Sequence, residues 1–134
     1  MNRLRWLLII PLMLTPGSPW IMKWLAQRQA KKQLGRRAPD TSAVDGDDNQ
    51  MARKLYYFHA PYCGPCRAMM PMINALQTEH PNLIKIDVTE HEALAQAFGV
   101  SATPVFIVVA ENHVQEVKVG AQRKGWILSK LSAN

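Results

Sequence analysis

The stretch Tyr57-Phe58-His59-Ala60-Pro61-Tyr62-Cys63-Gly64-Pro65-Cys66 contains both cysteines of this chain. It joins an apolar run over residues 55–60 to a helical-looking segment over 67–78. A Cys-x-x-Cys pair that follows a strand and opens a helix is typical of a thiol-disulfide redox site. The first thiol then lies at the positive end of the helix, where free N–H groups and the macrodipole stabilise a thiolate.

Two other interpretations of the cysteine pair stay open at this point. The pair has the spacing of half a zinc site, which histidines would have to complete because there is no second pair. The histidines are scattered and lack the short spacing of a metal-binding turn: His59, His80, His91 and His113. A purely structural disulfide would close a loop of only about four residues and remove little unfolded-state entropy. The redox interpretation is favoured, and no metal site is predicted.

Charge divides the 134 residues into three parts. Residues 1–37 carry eight basic side chains and no acid, residues 38–50 carry four aspartates and no base, and residues 51–134 are nearly balanced. The net charge of +6 therefore belongs to the N-terminal part. Its basic residues are interleaved with large apolar ones, which favours anionic lipid over nucleic acid as a partner; a solvated basic tail is the alternative.

Residues 1–37 are predicted to be a signal or membrane-anchor segment. A basic start is followed by the apolar run Trp6 to Leu14, which is the layout of an export signal. Cleavage near Gly17 is not predicted, because the site matches the usual small-residue pattern poorly. From Trp20 onward, aromatic and basic residues alternate as in an amphipathic interfacial helix.

The side of the membrane is predicted from two opposing signals. An export signal would place the rest of the chain outside the cytoplasm, whereas Lys23, Arg28, Lys31 and Lys32 soon after the apolar run favour the cytoplasmic face. We expect the periplasmic side of a bacterial inner membrane, with the cytoplasmic face as the alternative. Residues 38–50 are predicted to be a flexible acidic linker, with at most a short helix around Asp47 to Ala52.

Residues 51–134 alternate strand and helix patterns, which predicts an α/β domain with a mixed central sheet and helices on both faces. The hairpin turn is expected at Glu111-Asn112. The predicted strands are 54–58, 83–88, 105–110 and 113–119, and the predicted helices are 65–78, 90–98 and 124–131.

From about residue 53 onward the chain resembles the thioredoxin family. The motifs that carry the resemblance are colinear: the stretch 57–66, Pro71, Ile86-Asp87-Val88, Phe98-Gly99-Val100, Thr103-Pro104 and Val119-Gly120. The resemblance implies a thioredoxin-like fold, here trimmed at its N-terminal edge because the linker occupies the place of a first strand and helix.

The resemblance also implies roles for individual residues. Cys63 would be the attacking thiolate and Cys66 the buried resolving thiol. Thr103 would offer its backbone to a substrate strand beside a cis Pro104. Gly64-Pro65 between the cysteines goes with a reductant in the family. Tyr62 replaces a tryptophan beside the motif, and we expect it to belong to the apolar contact surface for substrate.

Besides Tyr62, three further residues depart from the family pattern near the motif. Tyr57 stands where many thioredoxins have a buried aspartate, and Leu83 stands where they have its lysine partner. His59 replaces a tryptophan; it is a candidate for proton transfer, or it simply packs in the tryptophan's place.

The sequence therefore predicts a membrane-tethered enzyme that reduces protein disulfides through Cys63 and Cys66. An oxidase or isomerase of the same fold, and a zinc-binding membrane module without activity, are the alternatives. No flavin or nicotinamide motif is present, so no cofactor beyond the cysteine pair is expected. Electrons would then come from a partner, either a reductase or a membrane electron donor.

Overall fold

The computed structural model of the chain describes residues 19–45 and 53–132. The predicted export signal, and the short helix expected around Asp47 to Ala52, lie outside these ranges. The helices are α1 (Pro19–Gln33), α2 (Ser42–Asp45), α3 (Gly64–Glu79), α4 (Glu92–Ala97) and α5 (Lys124–Ser132), and the strands are β1 (Arg53–His59), β2 (Leu83–Asp87), β3 (Val105–Ala110) and β4 (His113–Val119).

The four strands form one mixed sheet in the order β2-β1-β3-β4. β1 pairs in parallel with β2 and antiparallel with β3, and β3 pairs antiparallel with β4. β1 and β3 are central and buried on both faces, as their continuous apolar sequences require. The predicted α/β class, the mixed sheet and the four strands are confirmed.

The two faces of the sheet bury two layers of side chains. On one face Tyr57, Leu83 and Phe106 pack with residues of α3 and α5. On the other face Tyr56, Phe58 and Ile86 pack with Ala95 of α4 and with Phe98, which follows that helix. Helices cover both faces, as predicted, and the alternation of side chains along β1 supplies both layers.

The β3–β4 turn lies where the sequence predicts it. Glu111 and Asn112 form the predicted β3–β4 turn with φ of 52° and 62°, a left-handed conformation that asparagine tolerates well.

The helix α4 begins at Glu92 rather than at the predicted Glu90. The reason is a turn after β2, in which Asp87 Oδ1 accepts hydrogen bonds from the backbone N–H and the hydroxyl of Thr89 at 2.8 and 2.6 Å.

Part of the predicted linker is packed against the domain. Residues 42–45 form α2, and Val44 contacts the apolar layer beside α4. The Asp45 carboxylate accepts a hydrogen bond from the ammonium of Lys54 on β1 at 2.9 Å, and both side chains are buried. This polar contact and the contact of Val44 hold residues 42–45 against the domain.

α1 is helical where an interfacial helix was predicted, but one of its faces contacts the domain. Pro19 occupies the first turn, where its missing N–H is tolerated, and the chain leaves the helix through Gly35 at φ 76°. Ala26 and Ala30 are buried. None of the helices within residues 19–45 and 53–132 has the length and apolar content needed to cross a bilayer.

Candidate active site

Cys63 lies at the N-terminal cap of α3, directly after the loop that leaves β1. Its backbone is extended (φ −86°, ψ 112°), and its Sγ accepts a hydrogen bond from the backbone N–H of Cys66 at 3.3 Å. A sulfur in this position is stabilised as a thiolate by the free N–H groups of the first helical turn. Pro65 in that turn loses no hydrogen bond there.

Cys63 and Cys66 form a disulfide with their Cα atoms 5.2 Å apart. The two residues are not equally accessible, since Cys63 is 8% exposed and Cys66 only 1%. Ala60 and Val88 pack around them. This arrangement allows an external disulfide to approach Cys63, while Cys66 is held beneath it within bonding distance.

Tyr57 on β1 is hydrogen-bonded to the backbone of Cys66. It is fully buried on β1, and its hydroxyl donates a hydrogen bond to the backbone carbonyl of Cys66 at 3.1 Å. Burial raises the pKa of Tyr57 to about 12, so the phenol stays protonated at neutral pH. Sequence reasoning treated Tyr57 only as the loss of a carboxylate and missed this hydrogen bond. Its inward position on the strand below the motif was the available signal.

Many thioredoxins have a buried aspartate and a lysine where this chain has Tyr57 and Leu83. Within the described residues, no other charged pair near Tyr57 takes their place. Leu83 lies in the apolar layer with Tyr57 and pairs across the strands with Leu55. Lys85 is opposite Tyr57 in register, but its ammonium donates to Asn74 Oδ1 at 2.7 Å. An apolar Leu83 beside a neutral Tyr57 avoids the cost of burying a single charge.

His59 stacks on Tyr57, with ring centroids 5.5 Å apart and an interplanar angle of 20°. Burial lowers the pKa of His59, and the nearby Asp87 carboxylate only partly offsets this effect. Among the described residues, its ring makes no hydrogen bond with either cysteine. The packing interpretation of His59 accounts for these contacts.

The Thr103-Pro104 peptide bond is cis, as the resemblance implied. Pro104 precedes Val105, which pairs with Phe58 at the end of β1, so the cis turn lies at the same end of the sheet as the cysteines. The Pro104 carbonyl accepts a hydrogen bond from the N–H of Gly120 at 2.8 Å. Tyr62, beside the motif, is 76% exposed and therefore available for contact with another molecule.

A metal site would need at least three suitable side chains close together. Within it, no three side chains of the histidine, cysteine, aspartate or glutamate type come together in a group that could hold a metal ion. The cysteine sulfurs are joined to each other.

Comparisons with known proteins agree with this geometry. Residues 44–133 match the thioredoxin family model. Thioredoxin from Bacillus subtilis is 36% identical over 70 residues, covering 50% of this chain and 67% of that protein. The H-type thioredoxin of Fagopyrum esculentum is 34% identical over 79 residues, covering 58% of this chain and 67% of that protein. Against the TPR repeat-containing thioredoxin of Arabidopsis thaliana, the match spans only 21% of the relative.

Solved structures give the same result. A mutant thioredoxin from Halobacterium salinarum superimposes with a TM-score of 0.59 at 29% identity, covering 72% of this chain and 86% of that one. Thioredoxin NaTrxh from Nicotiana alata superimposes with a TM-score of 0.56 at 33% identity, covering 66% of this chain and 82% of that one. The fold and the paired cysteines define the class of thiol-disulfide oxidoreductases. Within that class, the chain belongs to the thioredoxin family.

Proposed function

We propose that this chain reduces disulfides in proteins while attached to a membrane. The observation that carries the proposal is the position of Cys63 at the cap of α3 with Cys66 buried beside it. The Cys63 thiolate attacks one sulfur of the substrate disulfide and forms a mixed disulfide, and the first substrate thiolate leaves. Cys66, once deprotonated, attacks Cys63 Sγ and displaces the second substrate thiolate. Two electrons pass to the substrate, and the Cys63–Cys66 disulfide forms.

The reducing direction is supported by Gly64-Pro65 between the cysteines, which goes with reductants in the family. Thr103 and Pro104 supply the backbone edge that would receive a substrate strand, and Tyr62 supplies exposed aromatic surface. A donor must then restore the dithiol by giving back two electrons. A protein reductase or a membrane electron carrier fits this need, depending on the side of the membrane. We place the domain on the periplasmic side of a bacterial inner membrane.

Membrane attachment is supported by residues 1–37, which combine the apolar run Trp6 to Leu14 with eight basic side chains and no acid. Anionic lipid attracts such a segment, with each basic residue near the surface contributing about 1 kcal/mol.

The test is a Cys66→Ser variant of the full chain, which retains the attacking thiol and lacks the resolving one. We expect it to accumulate mixed disulfides with substrate proteins, detected as reducible adducts by mass spectrometry. The matched control, Cys63→Ser with Cys66→Ser, should form none. If Cys63 reacts with a small disulfide but no protein adduct forms, the role as a protein reductase is contradicted.

A second measurement separates reduction from oxidation. We expect the reduction potential of the Cys63/Cys66 pair to lie near that of thioredoxin, about −270 mV. A value close to that of a strong oxidant, about −120 mV, would support the oxidase alternative instead.

A further inference from the structure

α1 is fixed to the domain by its inner face, which is built from small residues. Ala26 and Ala30 are buried, and they line a narrow cleft together with Val117 and Val119 of β4. Small side chains at i and i+4 let the helix backbone lie close to the sheet edge. α1 is therefore part of the folded domain and cannot turn freely relative to the cysteines.

The segment after α1 strengthens this attachment. The N–H of Gly35 donates to the carbonyl of Val114 at 2.8 Å, and the N–H of Val114 donates to the carbonyl of Arg36 at 2.9 Å. Gln33 lies over Gly99, where a Cβ atom would come within 2.5 Å of its side-chain nitrogen. Gly99 also has a φ of +71°, so both its backbone and its lack of a side chain suit this contact.

The outer face of α1 combines exposed aromatic and basic residues. Trp20 is 76% and Trp24 47% exposed, and Leu25 is exposed beside them. Arg28 lies 4.5 Å above the ring of Trp24, and Lys32 follows one turn later. The first half of this face is apolar and the second half is basic. An interfacial helix has this composition, with apolar side chains below the lipid headgroups and cations beside the phosphates.

α1 also has a defined direction relative to the cysteines. Its end contacts the start of β4 through Gly35, whereas Ala26 and Ala30, further from that end, line the cleft with Val117 and Val119 toward the end of β4. β1 and β4 run in the same direction because both pair antiparallel with β3. The apolar half of α1 therefore lies at the end of the sheet that carries Cys63.

From these observations we infer that α1 binds an anionic lipid surface through its outer face, with its first turns deepest, and holds the Cys63 end of the sheet toward the bilayer. The occupant is lipid because the helix carries four basic residues, Lys23, Arg28, Lys31 and Lys32, and no acid, and because the apolar run Trp6 to Leu14 precedes it. The inference rests on the proposed function and narrows its substrates to disulfides at or near the membrane surface.

The experiment measures the distance of two labelled positions from the lipid. A single cysteine is introduced at exposed Ala121, next to the Cys63 end, or at exposed Glu79, at the far end of α3, in a full-length background with Cys63→Ala and Cys66→Ala. Each variant carries a fluorophore and is bound to vesicles of phosphatidylcholine and phosphatidylglycerol that contain nitroxide-headgroup lipid. We expect lipid to quench the Ala121 label at least about threefold more than the Glu79 label, since interfacial helices lie within about 10 Å of the headgroups.

A variant pair tests whether α1 causes this orientation. Trp20→Ser with Trp24→Ser should abolish the quenching difference or the binding itself, whereas Gln29→Ser on the same helix should change neither. Equal quenching at both labels, stronger quenching at Glu79, or a difference that survives loss of both tryptophans would overturn the inference.

Unlabelled wild-type chain provides a readout without new cysteines. Reduced protein on the vesicles should cleave a disulfide carried on a lipid headgroup at least about tenfold faster than Trp20→Ser with Trp24→Ser does, because fixed orientation raises effective concentration. Both proteins should reduce a soluble disulfide equally. Failure with the soluble disulfide would contradict the proposed function, whereas equal rates on the lipid-borne disulfide would contradict only the orientation.

Discussion

Tyr57 and Cys66 show how one side chain can change the chemistry of the site without touching a sulfur. A carboxylate at position 57 would be a base near the resolving thiol, but a buried phenol with a pKa of about 12 is not one at neutral pH. Its hydroxyl instead donates to the Cys66 carbonyl. Tyr57 therefore positions the first turn of α3 and does not take the proton from Cys66 at neutral pH.

Replacing Tyr57 by phenylalanine tests this positioning role. Loss of the hydrogen bond to the Cys66 carbonyl should lower the free energy of unfolding by about 1 kcal/mol, measured by urea denaturation. The pH profile of disulfide reduction should be unchanged between about pH 6 and pH 9, because the phenol does not titrate there. Tyr62→Phe, which removes an exposed hydroxyl, is the control and should change neither quantity. A displaced profile in Tyr57→Phe alone would assign the phenol a proton-transfer role.

His59 gives a second prediction, about pH and stability. Burial lowers its pKa in the folded state, so the unfolded chain takes up the proton first as the pH falls. The contribution of neutral His59 to stability is complete above the unfolded value of about 6.5 and declines as the pH falls toward the lower folded value. His59→Ala should therefore flatten the decline in stability below about pH 7, as followed by thermal unfolding at several pH values.

The same variant tests the proton-transfer hypothesis for His59. We expect the pH profile of disulfide reduction to stay unchanged in His59→Ala, because no hydrogen bond joins the ring to either cysteine in the described part of the chain. His91→Ala, at the cap of α4, is the matched control. A profile shifted only by loss of His59 would restore the hypothesis.

At the scale of elements, α2 depends on a buried ion pair with β1. Asp45 accepts hydrogen bonds from Lys54, from the hydroxyl of Tyr56 at 2.7 Å and from that of Thr41 at 2.8 Å. Burial opposes ionisation of Asp45, but these hydrogen bonds outweigh it and lower the pKa of the carboxyl group. The pair holds a four-residue helix that could not form alone.

Asp45→Ala should lower the free energy of unfolding by about 3 kcal/mol at neutral pH, because it leaves the Lys54 ammonium buried without a partner. Asp45→Leu with Lys54→Met should cost less than the single variant, since no charge is then left alone. Since the folded pKa of Asp45 is lowered, wild-type stability from this pair should be present above about pH 4 and lost as the pH falls further. Equal losses in the single and double variants, measured by urea denaturation, would show that the pair does not hold α2.

At the scale of the whole molecule, α1 packs over apolar side chains at the β4 edge of the four-stranded sheet. It lies against β4 and the loop after α4, where it shields Val117, Val119 and Phe98. A chain that begins at residue 38 should therefore be less stable than one that begins at residue 19, by at least about 1 kcal/mol or about 4 °C in Tm. Differential scanning calorimetry of the two would measure this. Equal melting temperatures would mean that α1 contributes nothing to the stability of the fold.

Much of the fold could be predicted because its signals are local. β-branched and aromatic residues at 105–109 predict a buried strand, Glu111-Asn112 a hairpin turn, and Pro65 after Cys63 the start of a helix. The later start of α4 was missed because the Asp87 side chain forms a turn there. The packing of residues 42–45 could not be predicted because their acidic, polar composition is typical of a linker, and Asp45 finds two of its partners, Lys54 and Tyr56, on β1.

The sequence by itself determined the redox pair, its place at the start of a helix, and the basic and apolar character of the first 37 residues. These properties depend on residue type and spacing over a few positions. Only the tertiary structure decided that Tyr57 supports Cys66, that α1 lies on β4 through two alanines, and that the apolar half of α1 lies at the Cys63 end of the sheet. Each of these contacts joins residues on different elements, and strand direction and register decide which of them meet.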